Sequence, residues 1–242
     1  MRLVRAPLAD LRPGERTLDA RGARYLTRVL RLREGDTFVA FDPARGKEAE
    51  ATIASTTQER VIVLVGPLRD GGATGDVTWI HGAAKGDKLD AIVRDATELG
   101  VRRFVVAATA RAVTKLDEDR AKGRRARWAR IAEEAARQSR RADAPAVEGP
   151  LAWEDALASV AEGASRFVLW EGAQAPLGPA LDVALAGGAA LAFAAGPEGG
   201  LTEEEARFAE QNGWILVSLG PLILRTETVA AAVLGAVRVF GG

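Results

Sequence analysis

From residue 77 onward, short apolar runs alternate with longer stretches in which apolar residues return every three or four positions. Residues 77–82, 101–108, 166–171, 191–195 and 214–219 have the length and continuity of buried strands, and 191–195 is apolar throughout. An uninterrupted run of that kind suits a strand covered on both faces of a parallel sheet. Between them, residues 87–99 carry Leu89, Ile92, Val93, Ala96 and Leu99 on one helical face, with Gly100 as a stop signal. Residues 179–186, 203–212 and 227–240 are further helices. Thr202 and Glu205 have the spacing of a capping box, so a helix is expected to begin at Glu203. This alternation predicts an α/β domain with a mainly parallel sheet covered on both sides.

The first part of the chain has a different texture. Residues 36–42, 48–55 and 60–65 are short runs of alternating or β-branched apolar residues, separated by turn-forming sequence. Residues 20–30 are the exception: Tyr25, Leu26, Val29 and Leu30 stand at helical spacing, which leaves Arg24, Arg28 and Arg31 on the exposed side. The pattern predicts a small barrel-like β domain with one basic helix. Residues 66–76 contain four glycines and a proline, too many for a regular element, and mark the domain boundary. A long helix is expected at 119–141. Trp128, Ile131, Ala132, Ala135 and Ala136 form its apolar stripe, and Arg127, Arg130, Glu134, Arg137 and Arg141 form a second stripe at the same spacing.

Composition narrows the function classes. The chain has 242 residues, 48% hydrophobic and 27% charged, as in an ordinary globular protein. It has no cysteine, which excludes disulfides, thiolate metal sites and a cysteine nucleophile and is compatible with a cytoplasmic address. Its single histidine, His81, lies on an apolar run and is read as structural; no metal site is expected. The early arginines are followed by no apolar core, so no signal peptide is expected, and the longest apolar stretch is too short to span a bilayer. The net charge of zero conceals a segregation. Residues 1–33 hold nine basic against three acidic side chains, and residues 111–141 hold eleven against five. Two basic segments in a neutral chain suit a phosphate backbone as partner, although a solvated, salt-bridged face has the same composition.

Two loops carry the candidate chemistry. The strand at 191–195 runs into Gly196-Pro-Glu-Gly-Gly-Leu-Thr202, and the strand at 214–219 runs into Gly220-Pro-Leu-Ile-Leu-Arg-Thr-Glu227. Neither is a phosphate-binding P-loop, since no Gly-Lys-Ser/Thr follows, and neither fits the dinucleotide fingerprint. Taken alone, the first loop could be an ordinary strand-to-helix turn. Two such loops at the carboxyl ends of strands mark where ligands bind in open α/β sheets.

These two stretches, with Lys85-Gly-Asp-Lys-Leu89, Ala96-Thr-Glu-Leu-Gly100, residues 128–138 with Arg141, and Tyr25-Leu-Thr-Arg-Val-Leu-Arg31, occur in an order that resembles the ribosomal RNA small-subunit methyltransferase E family of the SPOUT superfamily of RNA methyltransferases. The resemblance spans nearly the whole chain. It departs where Leu222 and Val229 stand in place of more usual basic and small residues, and where Arg140 replaces a common glycine. It implies a PUA-like RNA-binding β-barrel at 1–68, a linker at 69–76, and a methyltransferase domain at 77–242 whose C-terminal trefoil knot holds S-adenosylmethionine, with S-adenosylhomocysteine as product. It further implies a homodimer and, as the acceptor, N3 of a uridine in 16S ribosomal RNA, free or in the small subunit; with no apolar stretch long enough to span a bilayer, no membrane partner is expected.

On that reading Arg225 is the candidate catalytic residue, stabilising the uridine anion without acting as a base. Glu198 could orient Arg225, bind the base or accept the proton. A salt bridge from Arg225 to Glu227 or Glu198 is the structural alternative. The cofactor is expected against Leu169, Glu171, Gly196, Pro197, Gly199, Gly200, Leu219, Gly220, Leu224, Thr226 and Thr228. RNA is expected against Arg5, Arg24, Arg28, Arg31, Lys85, Lys88, Arg111, Arg127, Arg130, Arg137, Gln138 and Arg141. A SPOUT enzyme with another acceptor, such as a transfer RNA ribose hydroxyl, and an inactive RNA-binding homologue are the other readings.

Overall fold

The structure is a computed structural model that describes residues 4–43, 45–57, 60–71, 75–112 and 118–241, with the side chains of 118–120 excepted. Residues 72–74 of the expected linker, 113–117 of the second basic segment and Arg2 of the first lie outside the described residues. The chain forms two compact units, one of residues 1–73 with 136–144, the other of 74–135 with 145–242.

In the first unit, β1 (Arg5–Pro7), β2 (Gly14–Thr17), β3 (Thr37–Asp42), β4 (Lys47–Thr56) and β5 (Val61–Val65) are ordered β1-β3-β4-β5-β2, and β6 (Arg69–Asp70) pairs with β4. All pairings are antiparallel except that of β1 with β3. Phe38 and Ala40 of β3, Ala49, Ala51 and Ile53 of β4 and Val61, Val63 and Val65 of β5 alternate into one core with Leu26. The stretch expected as linker thus begins with a strand: Lys47 of β4 pairs with Asp70.

The basic helix is shorter and less regular than its spacing predicts. Helix α1 (Ala20–Arg24) is capped by Asp19 and passes into a π-helical turn, Tyr25–Val29. A π turn inserts an extra residue per turn and so rotates the succeeding residues off the apolar face. Leu26 stays buried, but Val29 is 63% exposed, contrary to its expected place in the core. Arg24, Arg28 and Arg31 are exposed as expected.

The second unit is built on a six-stranded, wholly parallel sheet. Its strands are β7 (Val77–Gly82), β8 (Arg103–Ala108), β9 (Ala146–Ala152), β10 (Ser165–Leu169), β11 (Leu191–Ala195) and β12 (Ile215–Val217), in the order β12-β10-β11-β7-β8-β9. Alternate residues feed two cores. Val77, Trp79, Phe104, Val106, Phe167, Leu191 and Phe193 point to one face, where α2 (Lys88–Glu98), α3 (Glu118–Gln138), α5 (Leu177–Gly187) and α7 (Thr226–Phe240) pack. Ile80, Val105, Val168, Ala192 and Ala194 point to the other, under α4 (Trp153–Ala158) and α6 (Glu203–Gln211). The rings of Trp79, Phe193 and Phe167 continue across three strands at centroid spacings of 6.0 and 5.4 Å.

Strand β9 escapes the sequence pattern because Gly149 and Pro150 interrupt it. It lies at the sheet edge, where a proline costs no ladder bond on the open side. The α3 stripe of Trp128, Ala132, Ala135 and Ala136 is buried as its spacing predicts. Trp128 also donates from Nε1 to Asp90 of α2 at 3.1 Å.

Candidate active site

The carboxyl ends of β10, β11 and β12 open into a cavity of about 770 Å³. That volume is within the range of roughly 300–1,000 Å³ usual for small-molecule sites. Leu169 and Glu171 after β10, Ala195 to Leu201 after β11, and Val217 to Thr226 after β12 line it. The local sequence explains the shape. Gly200 takes φ +71°, and a Cβ there would lie 2.7 Å from Glu171 Oε1. Gly220 takes φ +103° and turns the chain after β12. Both conformations are open to glycine at little cost and to other residues rarely.

The first loop is held from several sides. Thr202 caps α6, accepting from Glu205 N at 3.2 Å while Glu205 Oε2 accepts from Thr202 N at 2.8 Å. The predicted capping box is therefore present, and Glu205 Oε1 also accepts from Ala110 N at 2.8 Å. Arg111 donates from Nη1 to the carbonyls of Gly199 at 2.9 Å and Leu201 at 3.2 Å. Expected as an RNA contact, Arg111 is a clamp on this loop.

Glu198 projects from the loop to Lys88, with Nζ to Oε1 at 3.1 Å, and its carboxylate accepts from the backbone N–H of Lys85 at 3.2 Å. Partial burial works against its charge. It is outweighed by hydrogen bonds from the backbone and by Lys88, which hold the carboxyl below its ordinary pKa. A carboxylate so stabilised is a weak base, and it pairs with Lys88 instead of Arg225. Lys88, expected as an RNA contact, is engaged by this pair, whereas Lys85 has an exposed side chain.

Arg225 is exposed at the cavity wall and is the N-cap residue of α7, without a side-chain capping bond. Among the described residues its guanidinium has no ion pair or hydrogen bond, so the salt bridges to Glu227 or Glu198 weighed from sequence do not form. The main-chain groups of Leu219 to Leu224 likewise make no hydrogen bond among the described residues. They are available to a ligand with donors and acceptors on its rim.

Most cofactor candidates meet here: Leu169, Glu171, Gly196, Pro197, Gly199, Gly200, Leu219, Gly220, Leu224 and Thr226 all line the cavity. Thr228 does not; it lies on the exposed side of the first turn of α7. Sequence reasoning missed Trp170, Ser218 and Glu227 in the lining. It also read His81 only as structural. His81 is fully buried, accepts at Nδ1 from Trp79 Nε1 at 3.1 Å, and meets Thr226 Oγ1 at Nε2, 2.9 Å away. Thr226 Oγ1 donates on to the Gly196 carbonyl at 2.9 Å.

The RNA candidates divide by geometry. Arg24, Arg28, Arg31 and Arg130 are exposed cations, and Gln138 is an exposed polar group. Arg5 pairs with Glu48 at 2.6 Å and lies over the Phe41 ring. Arg127 pairs with Asp87 at 3.1 Å and with Asp90. Arg141 is buried and forks onto Asp143 at 2.8 and 3.2 Å. Arg137 is half-buried. These pairings answer much of the basic charge that composition assigned to RNA.

A parallel sheet whose carboxyl-end loops enclose a glycine-lined cavity, with an arginine at its wall, is the architecture of an α/β protein that binds a small molecule beyond the ends of its strands. Residues 72–238 match the model of an RNA methyltransferase domain, and residues 18–65 that of an RNA methyltransferase PUA domain. The chain is 34% identical to the ribosomal RNA small subunit methyltransferase E of Bacillus subtilis, over 88% of this chain and 85% of that protein. It is 36% identical to that of Mycobacterium bovis, over 87% and 81%. A Neisseria gonorrhoeae ribosomal RNA small subunit methyltransferase E, solved bound to S-adenosyl methionine, superposes with a TM-score of 0.81 at 28% identity, covering 98% of each chain. The chain belongs to the ribosomal RNA small subunit methyltransferase E family.

Proposed function

We propose that the chain is an S-adenosylmethionine-dependent methyltransferase that modifies N3 of a uridine in 16S ribosomal RNA, with the loops 196–201 and 219–226 forming a trefoil-knotted cofactor site. The observation that carries this is the cavity after β10, β11 and β12, whose main-chain groups at 219–224 and whose Arg225 guanidinium have no hydrogen-bond partner among the described residues. Its size and glycine lining fit the cofactor, and a relative in the same family binds that molecule. When bound, S-adenosylmethionine supplies an electrophilic methyl group.

The chain's own residues do the rest. The glycine loops fix the donor's position, and near-contact alignment of donor and acceptor supplies much of the acceleration. Arg225, permanently charged and exposed at the cavity wall, stabilises the negative charge that a deprotonated uridine spreads onto its carbonyl oxygens. Glu198, paired with Lys88 at the cavity wall, ties the first loop to the start of α2. Arg24, Arg28, Arg31 and Arg130 provide phosphate contacts, which position the RNA and leave sequence choice to the base pocket.

Two chains are inferred to pair, in the cytoplasm, where ribosomes are substrates. Val183 of α5, Val239 and Phe240 of α7, and Leu222 and Ile223 are each between 71% and 93% exposed, apolar area that a second copy would cover. Within α7, Val233 is buried and Val229, Ala236 and Val237 pack on the core of the unit, so Val239 and Phe240 are the part of that helix left to a second copy. The described helices include none long and apolar enough to cross a membrane. The deciding experiment incubates the purified chain with methyl-labelled S-adenosylmethionine and small subunits lacking the modification, then digests the RNA for mass spectrometry. Label in N3-methyluridine is expected; label in another nucleoside, or none, would overturn the assignment.

A further inference from the structure

We propose that His81, held as the neutral Nε2–H tautomer between Trp79 and Thr226, is a positioning residue that locks both loops of the cofactor site onto β7 without touching the ligand. The inference rests on the functional reading above and deepens it.

Hydrogen-bond polarity fixes the tautomer. An indole N–H can only donate, so Trp79 Nε1 requires a lone pair on His81 Nδ1. A carbonyl can only accept, so Thr226 spends its single hydroxyl proton on Gly196 O. Thr226 Oγ1 must then accept from His81, which places the remaining ring proton on Nε2. The direction of donation runs from Trp79 through His81 and Thr226 to Gly196. A charged imidazolium would set two N–H groups against each other at Nδ1. In keeping with this, complete burial pushes the His81 pKa down to about 4, against a weaker opposing pull from Glu198.

The chain of bonds joins the elements that make the cavity. His81 pairs in register with Ala195, the last residue before the first loop. The following Gly82 is so close to that loop that a Cβ on it would lie 2.5 Å from Pro197 Cδ. Gly196 opens the first loop, and Thr226 closes the second at the first turn of α7, directly after Arg225. Thr226 was expected against the cofactor. Its only proton and one of its lone pairs are taken by protein, and the residue is 8% exposed. One buried imidazole therefore sets the separation of the two walls and the starting point of the arginine between them.

The test uses the fact that the chain has a single histidine. In ¹⁵N-labelled protein, long-range proton–nitrogen correlation at pH 7 is expected to give the Nε2–H pattern, and titration with S-adenosylmethionine to shift that signal. An Nδ1–H or doubly protonated ring at pH 7 would overturn the proposal. In the second arm, calorimetric titration of folded Thr226→Val with S-adenosylmethionine should give a Kd at least tenfold above wild type, while Thr226→Ser, which keeps the hydroxyl, stays within about threefold. A Kd for Thr226→Val within twofold of wild type, whatever its melting temperature, would reduce the bonds to a stabilising contact and sink the proposal. Failure of the wild-type chain to bind S-adenosylmethionine would instead remove the functional reading, a result that the tautomer measurement distinguishes.

Discussion

Arg225 and His81 represent opposite ways a single residue can serve a site. Arg225 is exposed and its guanidinium has no partner among the described residues, so its replacement removes charge and little packing. Arg225→Ala should lower kcat by roughly two to three powers of ten, as for loss of one preorganised donor. Single-turnover rates with saturating cofactor would measure this, and the affinity for S-adenosylmethionine should stay near wild type. Arg225→Lys should recover only part of the loss, since a point charge does not reproduce the planar fork. His81 is buried and neutral, so its protonation is coupled to stability. Its pKa is about 4 in the fold against 6.5 as the ordinary value. Above pH 6.5 both states are neutral and the full stability is present. Between 6.5 and about 4 only the unfolded chain takes up the proton, so stability is lost as pH falls, by about 1.4 kcal/mol per pH unit. Urea unfolding at pH 7 and pH 5 should show wild type losing about 2 kcal/mol more than His81→Gln over that interval. Equal losses would show that the imidazole is not protected.

At the scale of elements, α6 shows how a local signal and a tertiary bond combine. The capping box of Thr202 and Glu205 is a local device, and its spacing was enough to predict the helix start. Thr202→Ala should cost about 0.5–2 kcal/mol by chemical denaturation. Glu205 has a second task, since Oε1 accepts from Ala110 N across the fold. Glu205→Ala should therefore cost more than Thr202→Ala, and a double mutant should be less destabilised than the sum of the two. In the sheet, Phe193 is fully buried between Trp79 and Phe167, and Phe193→Ala should cost about 3–5 kcal/mol.

At the scale of the whole molecule, activity depends on its partners. A second copy would give a light-scattering mass of twice the 25.5 kDa of one chain, and a mass of one chain at micromolar concentration would count against pairing. RNA affinity should follow the exposed cations and not the count of basic residues. Replacing Arg24, Arg28 and Arg31 by Gln should weaken RNA binding and reduce the slope of log K against log salt by about one for each phosphate no longer neutralised. The same change at Arg141 should act on stability instead, because its guanidinium is buried against Asp143.

Periodicity by itself determined which segments are strands and which are helices over most of the second unit, because each buried face imposes its own spacing on the chain. The glycine loops at 196–200 and 220, and the capping box behind the first, were legible for a related reason: positive φ and unsatisfied helix N–H groups each call for particular residue types at that point in the chain. Pairing across distance lay outside that reach. Nothing in the sequence near Lys88 or Arg111 distinguishes a cation that binds RNA from one that holds a loop far along the chain. Val29 fits a helical stripe until a π turn rotates it outward. His81 and Thr226, separated by 145 positions, become one chain of bonds only when the parallel sheet brings β7 beneath the start of α7. Spacing records what each residue must bury, whereas the partner of a buried polar group is settled only by which elements the fold sets side by side.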